Sequence, residues 1–294
     1  MSSSSRAQRS QVNGGLQAQR SPIDALIAII AGVALAITLV AAGFVACAAF
    51  DAPTRMLSQA FSSDADSPYT KEELLVAAVA AKHYTIDDND RYALYTAMDA
   101  IAQSAQADGR DIPEGLNLYD VYIGASGDSQ TAGTAEEDLI MAQYELSYAD
   151  EEPYVLTPDA ISHLDDVYNV IQQVKPWLCA AAVIAYIGCI AVAFRGGRRS
   201  LGRVLTGAGA GVFAVFALLA AWVAIDFNGF FAAFHSLFFA AGTWTFSWGS
   251  LLICMYPPEF WVGMGAIWLA VTVAGCVVCL IIGKLLKNRA AHAA

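Results

Sequence analysis

Charged residues are scarce in this chain of 294 residues: they make up 15% of it, whereas hydrophobic residues make up 57%. Soluble domains average about 25% charged and about 45–50% apolar residues. The composition therefore excludes an ordinary soluble globule, a nucleic-acid-binding protein and a disordered chain. It favours an integral membrane protein.

Cysteine is scarce outside the long apolar runs. Of the six cysteines, only Cys254 lies in a predicted outer loop, which argues against a disulfide framework. Cys276 and Cys279 form a CxxC, but no second Cys or His pair that could complete a zinc site accompanies them. We therefore expect no metal centre, and no sequence feature calls for a nucleotide or redox cofactor.

Four apolar runs are long enough, or nearly so, to cross a hydrocarbon core of about 30 Å. Lys and Arg flank these runs unevenly, since ten of the 16 lie in segments 1–23, 195–203 and 284–294. Segment 51–176 instead holds 24 acidic and six basic residues, and loop 226–259 has no basic residue. The positive-inside rule then predicts that both termini lie in the cytoplasm and that these two loops lie outside.

The predicted fold is a mainly α integral membrane protein with four transmembrane helices and a small extracytoplasmic domain between the first two. Cleavage of the first run as a signal peptide, or lipidation at Cys47, is disfavoured because that run far exceeds the usual length of about 7–15 residues. The predicted order is a disordered cytoplasmic tail (1–23), a first span (25–50), the extracytoplasmic domain (51–157), an amphipathic entry helix leading into the second span (158–194), a cytoplasmic Arg-rich turn (195–203), a third span (204–225), an outer aromatic loop (226–259), a fourth span (260–283) and a cytoplasmic tail (284–294).

The extracytoplasmic domain is predicted to be mostly helical or mixed α/β. Thr70 and Glu73 form a capping box that begins a helix ending near Tyr84. The apolar periodicity predicts further elements, namely helices over 92–107 and 134–148 and a strand over 116–123.

His163 lies on the helix that is predicted to lead into the second span. Thr157 is suited to the N-cap of this helix and Pro158 to its first position. Asp159 and Asp166 lie four residues before and three residues after His163, and therefore on its face of the helix. A carboxylate there can fix the tautomer and orientation of the imidazole, and Asp166 is our candidate for this role.

His235 lies in an aromatic segment, 230–239, that carries no charge and is too short to span a membrane. We predict an interfacial or re-entrant helix in which Phe231, Phe238 and Phe239 share the face of His235. An imidazole among phenyl rings is desolvated, which lowers its pKa and leaves it neutral and able to accept a proton.

Only two of the four histidines are predicted to meet. His163 and His235 lie at the outer ends of consecutive spans joined by a short turn, and such spans should be antiparallel neighbours. His83 is interpreted as a structural cation near a helix C-terminus and His292 as inert. The alternative for the pair is that both histidines only pack between helices.

Two ordered motifs carry a family resemblance. Residues 163–167 (HLDDV) read as HxxDV at the entry to a span, and residues 234–239 (FHSLFF), followed by Trp244, read as FHxLFF…W. On a four-span frame with a large outer loop after the first span, these motifs resemble the DUF1461-type family of bacterial integral membrane proteins, which includes the lipoprotein intramolecular transacylase. The resemblance covers mainly residues 157–177 and 225–262.

The resemblance implies an acyltransferase of the bacterial plasma membrane. Such an enzyme moves the sn-2 acyl chain of a diacylglyceryl-modified cysteine onto the α-amino group of the same cysteine, and it needs no cofactor. The implied partners are bacterial lipoproteins and membrane phospholipid, and the implied catalytic face is extracytoplasmic. His163 and His235 map onto the catalytic pair of the family.

We interpret His163, oriented by Asp166, as the proton shuttle. His235 would polarise the ester carbonyl or protonate the glyceryl oxygen, and the two roles could be exchanged. Four aromatic side chains are candidates for contacting or orienting the substrate: Phe234, Phe238, Phe239 and Trp244.

Two other functions stay open at this point. After Phe239 the family has a polar pair where this chain has Ala241 and Gly242, which favours a non-enzymatic membrane protein whose acidic ectodomain binds a partner or ligand. The same histidines could also serve a hydrolase that acts on another membrane lipid ester.

Overall fold

The computed structural model describes residues 21–113 and 152–292. The described residues form helices and connecting loops, with no strand among them. The helices are α1 (Pro22–Ala48), α2 (Asp51–Phe61), α3 (Lys71–His83), α4 (Arg91–Ala107), α5 (Pro158–Ile225), α6 (Phe227–Ser236), α7 (Leu251–Met255) and α8 (Pro258–His292). The strand predicted over 116–123 and the helix predicted over 134–148 lie outside the described residues.

Three of these helices, α1, α5 and α8, are long and apolar enough to cross a membrane by length and composition. Residue Gly197 interrupts α5, since its φ of 67° and ψ of −177° are not helical. Glycine is suited to this backbone conformation because it has no Cβ to clash with the chain. The predicted turn at 195–203 is therefore tighter than expected, with helix on both sides of Gly197.

The break at Gly197 gives a stability prediction. Gly197→Ala places a Cβ on a backbone conformation that L-residues strongly disfavour, so we expect a loss of about 1–3 kcal/mol of stability. Thermal unfolding in detergent micelles checks this. Gly207→Ala is the matched control, since a Cβ at that helical glycine would have open space around it. Equal melting temperatures for the two variants would contradict the strain at Gly197.

The chain divides into two compact units. The first, within 21–39, 180–212 and 275–292, is packed through small residues. A Cβ at Gly188 would lie 2.8 Å from that of Ala31, and one at Gly202 would lie 2.7 Å from the carbonyl oxygen of Gly283. Such close backbone approach is typical of membrane helices, which gain stability by van der Waals contact.

The second unit, within 40–179 and 213–274, holds the largest apolar core. It packs α3 and α4 against the start of α5 and against α7, with the fully buried side chains Leu74, Leu94, Leu156, Ile161, Leu251, Met255 and Phe260. The predicted capping box is present at the start of α3, where the Thr70 side chain accepts from the Glu73 amide and Glu73 accepts from the Thr70 amide. Helix α4 begins one residue before the predicted position.

Two local elements of the second unit differ from the sequence analysis. Helix α2 follows α1 almost directly, in a stretch where no helix is predicted. After α3 the chain continues as a π-helical turn, Tyr84–Asp88, which ends at Asn89 in the left-handed conformation with a φ of 55°. Hydrophobic periodicity carries no signal for a π turn, which is a local widening of a helix that occurs often at functional sites.

Candidate active site

The first turns of α5 hold His163 in a fixed position. Thr157 caps this helix by accepting a hydrogen bond from the amide of Ala160, and Pro158 occupies the first turn, as predicted. Ile161 and Leu164 are buried in the core of the second unit. The intervening His163 is only 9% exposed.

A second anchor lies on the opposite side of this helix, at Asp165. The Arg91 guanidinium donates to its carboxylate at 2.5 Å, and the Asn89 amide donates at 3.1 Å. The Tyr84 hydroxyl donates to the same carboxylate. Because residues two apart on a helix point in nearly opposite directions, these bonds fix the rotation of the turn that presents His163.

His235 lies near the end of α6, whose N-terminus is capped by the side chain of Asp226. Its Nδ1 lies 2.9 Å from the carbonyl oxygen of Phe231, one turn earlier. Since a carbonyl can only accept, Nδ1 carries the hydrogen and the lone pair of the neutral ring lies on Nε2. Burial lowers the pKa of His235 below its usual value of 6.5, although the bond to the Phe231 carbonyl acts in the other direction.

The two imidazole rings lie side by side. Their centroids are 6.2 Å apart and their planes are inclined by 30°. The ring of His163 contacts Phe239 edge-on at 4.9 Å and Phe246 at 5.7 Å. A substrate group that binds between the two rings could therefore contact both.

Aromatic rings also surround His235. The ring of Phe231 lies 4.0 Å away and that of Trp244 lies 4.9 Å away, centroid to centroid. Gly242, with a φ of 91°, allows the turn between α6 and Trp244. We refer to His163, His235, Phe231, Phe239, Trp244 and Phe246 as the histidine site.

The segment that follows Trp244 is tied to residue Glu152. The Leu251 amide donates to the Glu152 carbonyl oxygen at 2.8 Å, and the Ser247 hydroxyl donates to the Glu152 carboxylate. These two bonds restrain the segment that carries Phe246 against His163.

The structure does not bring Asp166 onto His163. Asp166 is exposed, and the buried Nδ1 of His163 has no hydrogen-bond partner among the described residues. In the described part of the chain, Asp166 therefore does not orient the His163 ring as predicted. Packing against Phe239 and Phe246 holds this imidazole instead.

The aromatic candidates fall into two groups. Phe239 and Trp244 contact the imidazoles directly. Phe234 and Phe238 are 40% and 46% exposed and contact each other at 5.3 Å, and Phe234 also reaches His235 at 5.8 Å. The predicted grouping of Phe231, Phe238 and Phe239 on one face of His235 holds for Phe231 and Phe239, which lie within 6 Å of its ring.

His83 lies at the end of α3, as predicted, and has partners of its own. Its Nδ1 lies 2.6 Å from the Asp87 carboxylate, and its Nε2 lies 3.3 Å from that of Asp51. These contacts fit the structural role that the sequence indicates.

Comparison with known proteins gives a match over the region of the histidine site. Residues 133–261 match the sequence model of the family described as lipoprotein intramolecular transacylase Lit, and this range includes both His163 and His235. Over this segment the chain is similar to that family. The resemblance to the DUF1461-type family is thereby confirmed, since the two descriptions name the same family.

Solved structures of the membrane-integral lipoprotein intramolecular transacylase Lit from Bacillus cereus share the fold. One has 15% sequence identity and a TM-score of 0.56, and the alignment covers 92% of this chain and 98% of that chain. A variant of the same protein with one histidine replaced by alanine has 16% identity and a TM-score of 0.56, over 92% of this chain and 96% of that chain. No curated protein sequence matches this chain significantly.

The matched family is one of acyltransferases, and the solved structures that share the fold are membrane-integral. The described residues of this chain are mostly helical, and three of their helices are long and apolar enough to cross a membrane. Both histidines that the sequence motifs single out lie inside the matched segment and in contact with the same aromatic cluster.

Sequence reasoning missed two parts of the site. Phe246 carries no helical or strand periodicity that would direct it to His163. The role of Asp165 depends on Arg91 and Tyr84, which lie more than 70 residues earlier in the chain. The only signal for Asp165 was in the HxxDV motif, where it lies next to Asp166. The motif gives no reason to prefer Asp166 over Asp165 as the carboxylate that matters.

Proposed function

We propose that this protein is a lipoprotein intramolecular transacylase and that the histidine site performs the transfer. Its substrate is the diacylglyceryl-modified N-terminal cysteine of a lipoprotein. The sn-2 acyl chain leaves its glyceryl oxygen and joins the α-amino group of the same cysteine. The observation that carries this proposal is the approach of His163 and His235 to 6.2 Å within the segment matched to the family.

The orientation of His235 supports its assignment as the base. Its Nδ1–H is committed to the Phe231 carbonyl, so Nε2 is the atom that accepts a proton from the attacking amine. In the sequence analysis His163 has the role of base, and this assignment gives it to His235. The reason is that a backbone carbonyl orients His235, whereas Asp166 does not contact His163. His235 then gives this proton to the departing glyceryl oxygen. Burial lowers the pKa of His163 to about 4, so its ring is neutral and is suited to polarise the ester carbonyl.

Proton transfer is the main requirement of this reaction. The α-amino group has a reference pKa of about 8, so most of it is ammonium at neutral pH and must lose a proton before it attacks. A positioned acid or base contributes about 10²–10⁴-fold to the rate of such a step. Since the amine and the ester belong to one molecule, holding them together adds an effective molarity of about 10⁵ M or more.

The membrane placement that we propose has four spans with both termini inside. The break at Gly197 supports it, because it divides the 68 residues of α5 into two arms that are each long enough to span. The arginines beside this break fit the cytoplasm, and the absence of Lys and Arg from 226–259 fits the outside. The histidine site then faces the outer leaflet, where lipoproteins carry their lipid.

Phe234 and Phe238 are suited to contact the acyl chains. They are partly exposed, their rings contact each other at 5.3 Å, and that of Phe234 also contacts His235. A chain lying along these two rings would place its ester group beside the imidazoles.

The test is expression of the protein in a bacterium that makes diacylated lipoproteins but no lyso-form. Mass spectrometry of lipoprotein N-terminal peptides should detect a product with one chain on the α-amino group and one on the glyceryl group. Detection of diacyl substrate only would overturn the proposal. Release of free fatty acid without N-acylation would instead indicate a lipid-ester hydrolase.

The lowered pKa of His235 gives a prediction for the pH dependence. Neutral His235 accepts the proton, so the rate is retained above the folded pKa and is lost as the pH falls through it, below 6.5. Protonation of the amine, with a pKa of about 8, already lowers the rate over the range from pH 8 downwards. The logarithm of kcat/KM should therefore fall with a slope of one between these values and with a slope of two below the pKa of His235.

Initial rates on a diacylated lipopeptide between pH 5 and pH 9 check this, with the melting temperature followed in parallel. The parallel measurement is needed because a base whose folded pKa is depressed also loses stability as the pH falls below its unfolded value. If the steeper part of the pH–rate profile began above pH 6.5, this would contradict the assignment of His235 as the base.

A further inference from the structure

Trp244 has a buried hydrogen-bond donor that is not used by the fold. Its Nε1 has no partner among the described residues, although its ring packs 4.9 Å from that of His235. Leaving a buried donor without a partner costs about 1–3 kcal/mol. Indole nitrogens that are buried usually find an acceptor, so this one needs an explanation.

Trp268 provides a comparison, since its indole only packs helices together. The Trp268 Nε1 donates to the carbonyl oxygen of Val40 at 2.9 Å. Trp248, in the loop beside Trp244, is 74% exposed, so its indole is not enclosed by the protein. Of these three tryptophans, only Trp244 has a buried Nε1 with no acceptor in the described part of the chain.

We propose that the Nε1–H of Trp244 donates a hydrogen bond to the substrate carbonyl oxygen at the histidine site and stabilises the oxyanion that forms there. This inference rests on the proposed transacylase function. An indole N–H is a donor only and an ester carbonyl oxygen is an acceptor only, so the two are complementary. The donor belongs to a ring that lies 4.9 Å from the ring of the base, centroid to centroid.

The step that Trp244 serves is the addition of the amine to the ester. The amine nitrogen forms a bond to the carbonyl carbon, the π electron pair of the carbonyl moves to its oxygen, and the amine proton passes to Nε2 of His235. When the tetrahedral intermediate collapses, the C=O bond re-forms, the bond to the glyceryl oxygen breaks and that oxygen receives the proton that His235 had accepted. The negative charge exists on the carbonyl oxygen only between these two events, so a donor aimed at it lowers the barrier without tightening substrate binding.

Contacts around Trp244 hold its ring in place. Its ring lies 6.3 Å from that of Phe231 in an edge-on arrangement, in addition to its contact with His235. The Phe231 carbonyl is itself occupied by the His235 Nδ1–H. The indole N–H makes no bond to this carbonyl or to any other acceptor among the described residues.

The experiment compares Trp244→Phe with Trp248→Phe in detergent micelles, using a synthetic diacylated lipopeptide. We expect Trp244→Phe to lower kcat about 10- to 100-fold with little change in KM, since one donor to the transition state is removed. Trp248→Phe should keep both constants within about twofold, as expected for an exposed position. An unchanged kcat for Trp244→Phe, or a change confined to KM, would overturn the inference.

A second variant separates loss of the donor from loss of packing. Replacement of Trp244 by benzothienylalanine keeps the bicyclic shape and exchanges the N–H for sulfur. It should lower kcat as much as Trp244→Phe does, with a melting temperature equal to or above that of the wild type, because the unpaired donor is gone while the shape is kept. Full activity of this variant would show that Trp244 acts through its shape alone. If the wild-type protein forms no N-acylated product, the proposed function itself has failed, and this outcome is distinct from a Trp244 variant that remains active.

Discussion

Removing either imidazole should reduce formation of lyso-form lipoprotein by at least about 100-fold, because His235 transfers the proton and His163 polarises the ester that it serves. His235→Ala removes the Nε2 that accepts the amine proton, and His163→Ala removes the ring that lies 6.2 Å away. The product is measured by mass spectrometry of lipoprotein N-termini after expression of each variant at matched membrane levels. The double variant should be little worse than either single variant, since residues that act as a unit are strongly non-additive.

His83→Ala is the matched control for these substitutions. His83 is bonded to Asp51 and Asp87 and does not belong to the histidine site. Its replacement should leave the yield of product within about twofold of the wild type. Wild-type product from His163→Ala and His235→Ala together would contradict the site assignment. A protein that acts only as a scaffold would keep its cellular phenotype in both variants.

Replacing Asp165 should have the largest effect on stability. Asp165→Ala removes the carboxylate that accepts from Arg91, Asn89 and Tyr84, and leaves these donors with no acceptor at that position. The pair is partly buried, and leaving such polar groups without their partner costs about 1–3 kcal/mol. The melting temperature in detergent should fall by several degrees. The rate should fall as well, because the turn of α5 that carries His163 loses its anchor.

The neighbouring Asp166 provides the control for this variant. Asp166→Ala should change stability by about 0.5 kcal/mol or less, since the side chain is exposed. The pair of variants also tests the first interpretation of the motif. If Asp166 orients His163 during turnover, Asp166→Ala would lose activity while keeping its melting temperature. Equal melting temperatures for the Asp165 and Asp166 variants would contradict the anchoring role of Asp165.

Local signals in the sequence were sufficient for several elements of the fold. The capping box of Thr70 and Glu73 and the N-cap at Thr157 depend only on residues within one helical turn, and both are present. Runs of apolar residues likewise identified α1, α5 and α8 as helices suited to a membrane. Helix α2 escaped prediction because it directly follows an apolar run and has no capping side chain at Phe50.

The sequence by itself determined that this is a membrane protein with two candidate histidines, since composition, helical periodicity and short motifs are properties of the chain alone. Tertiary structure decided which side chains surround those histidines. The choice of Asp165 rather than Asp166 as the anchored carboxylate depends on Arg91, and the orientation of His235 depends on the carbonyl of Phe231. The physical reason is that anchoring of this kind requires an acceptor and its donors to meet within about 3 Å, and distance along the chain does not specify that meeting.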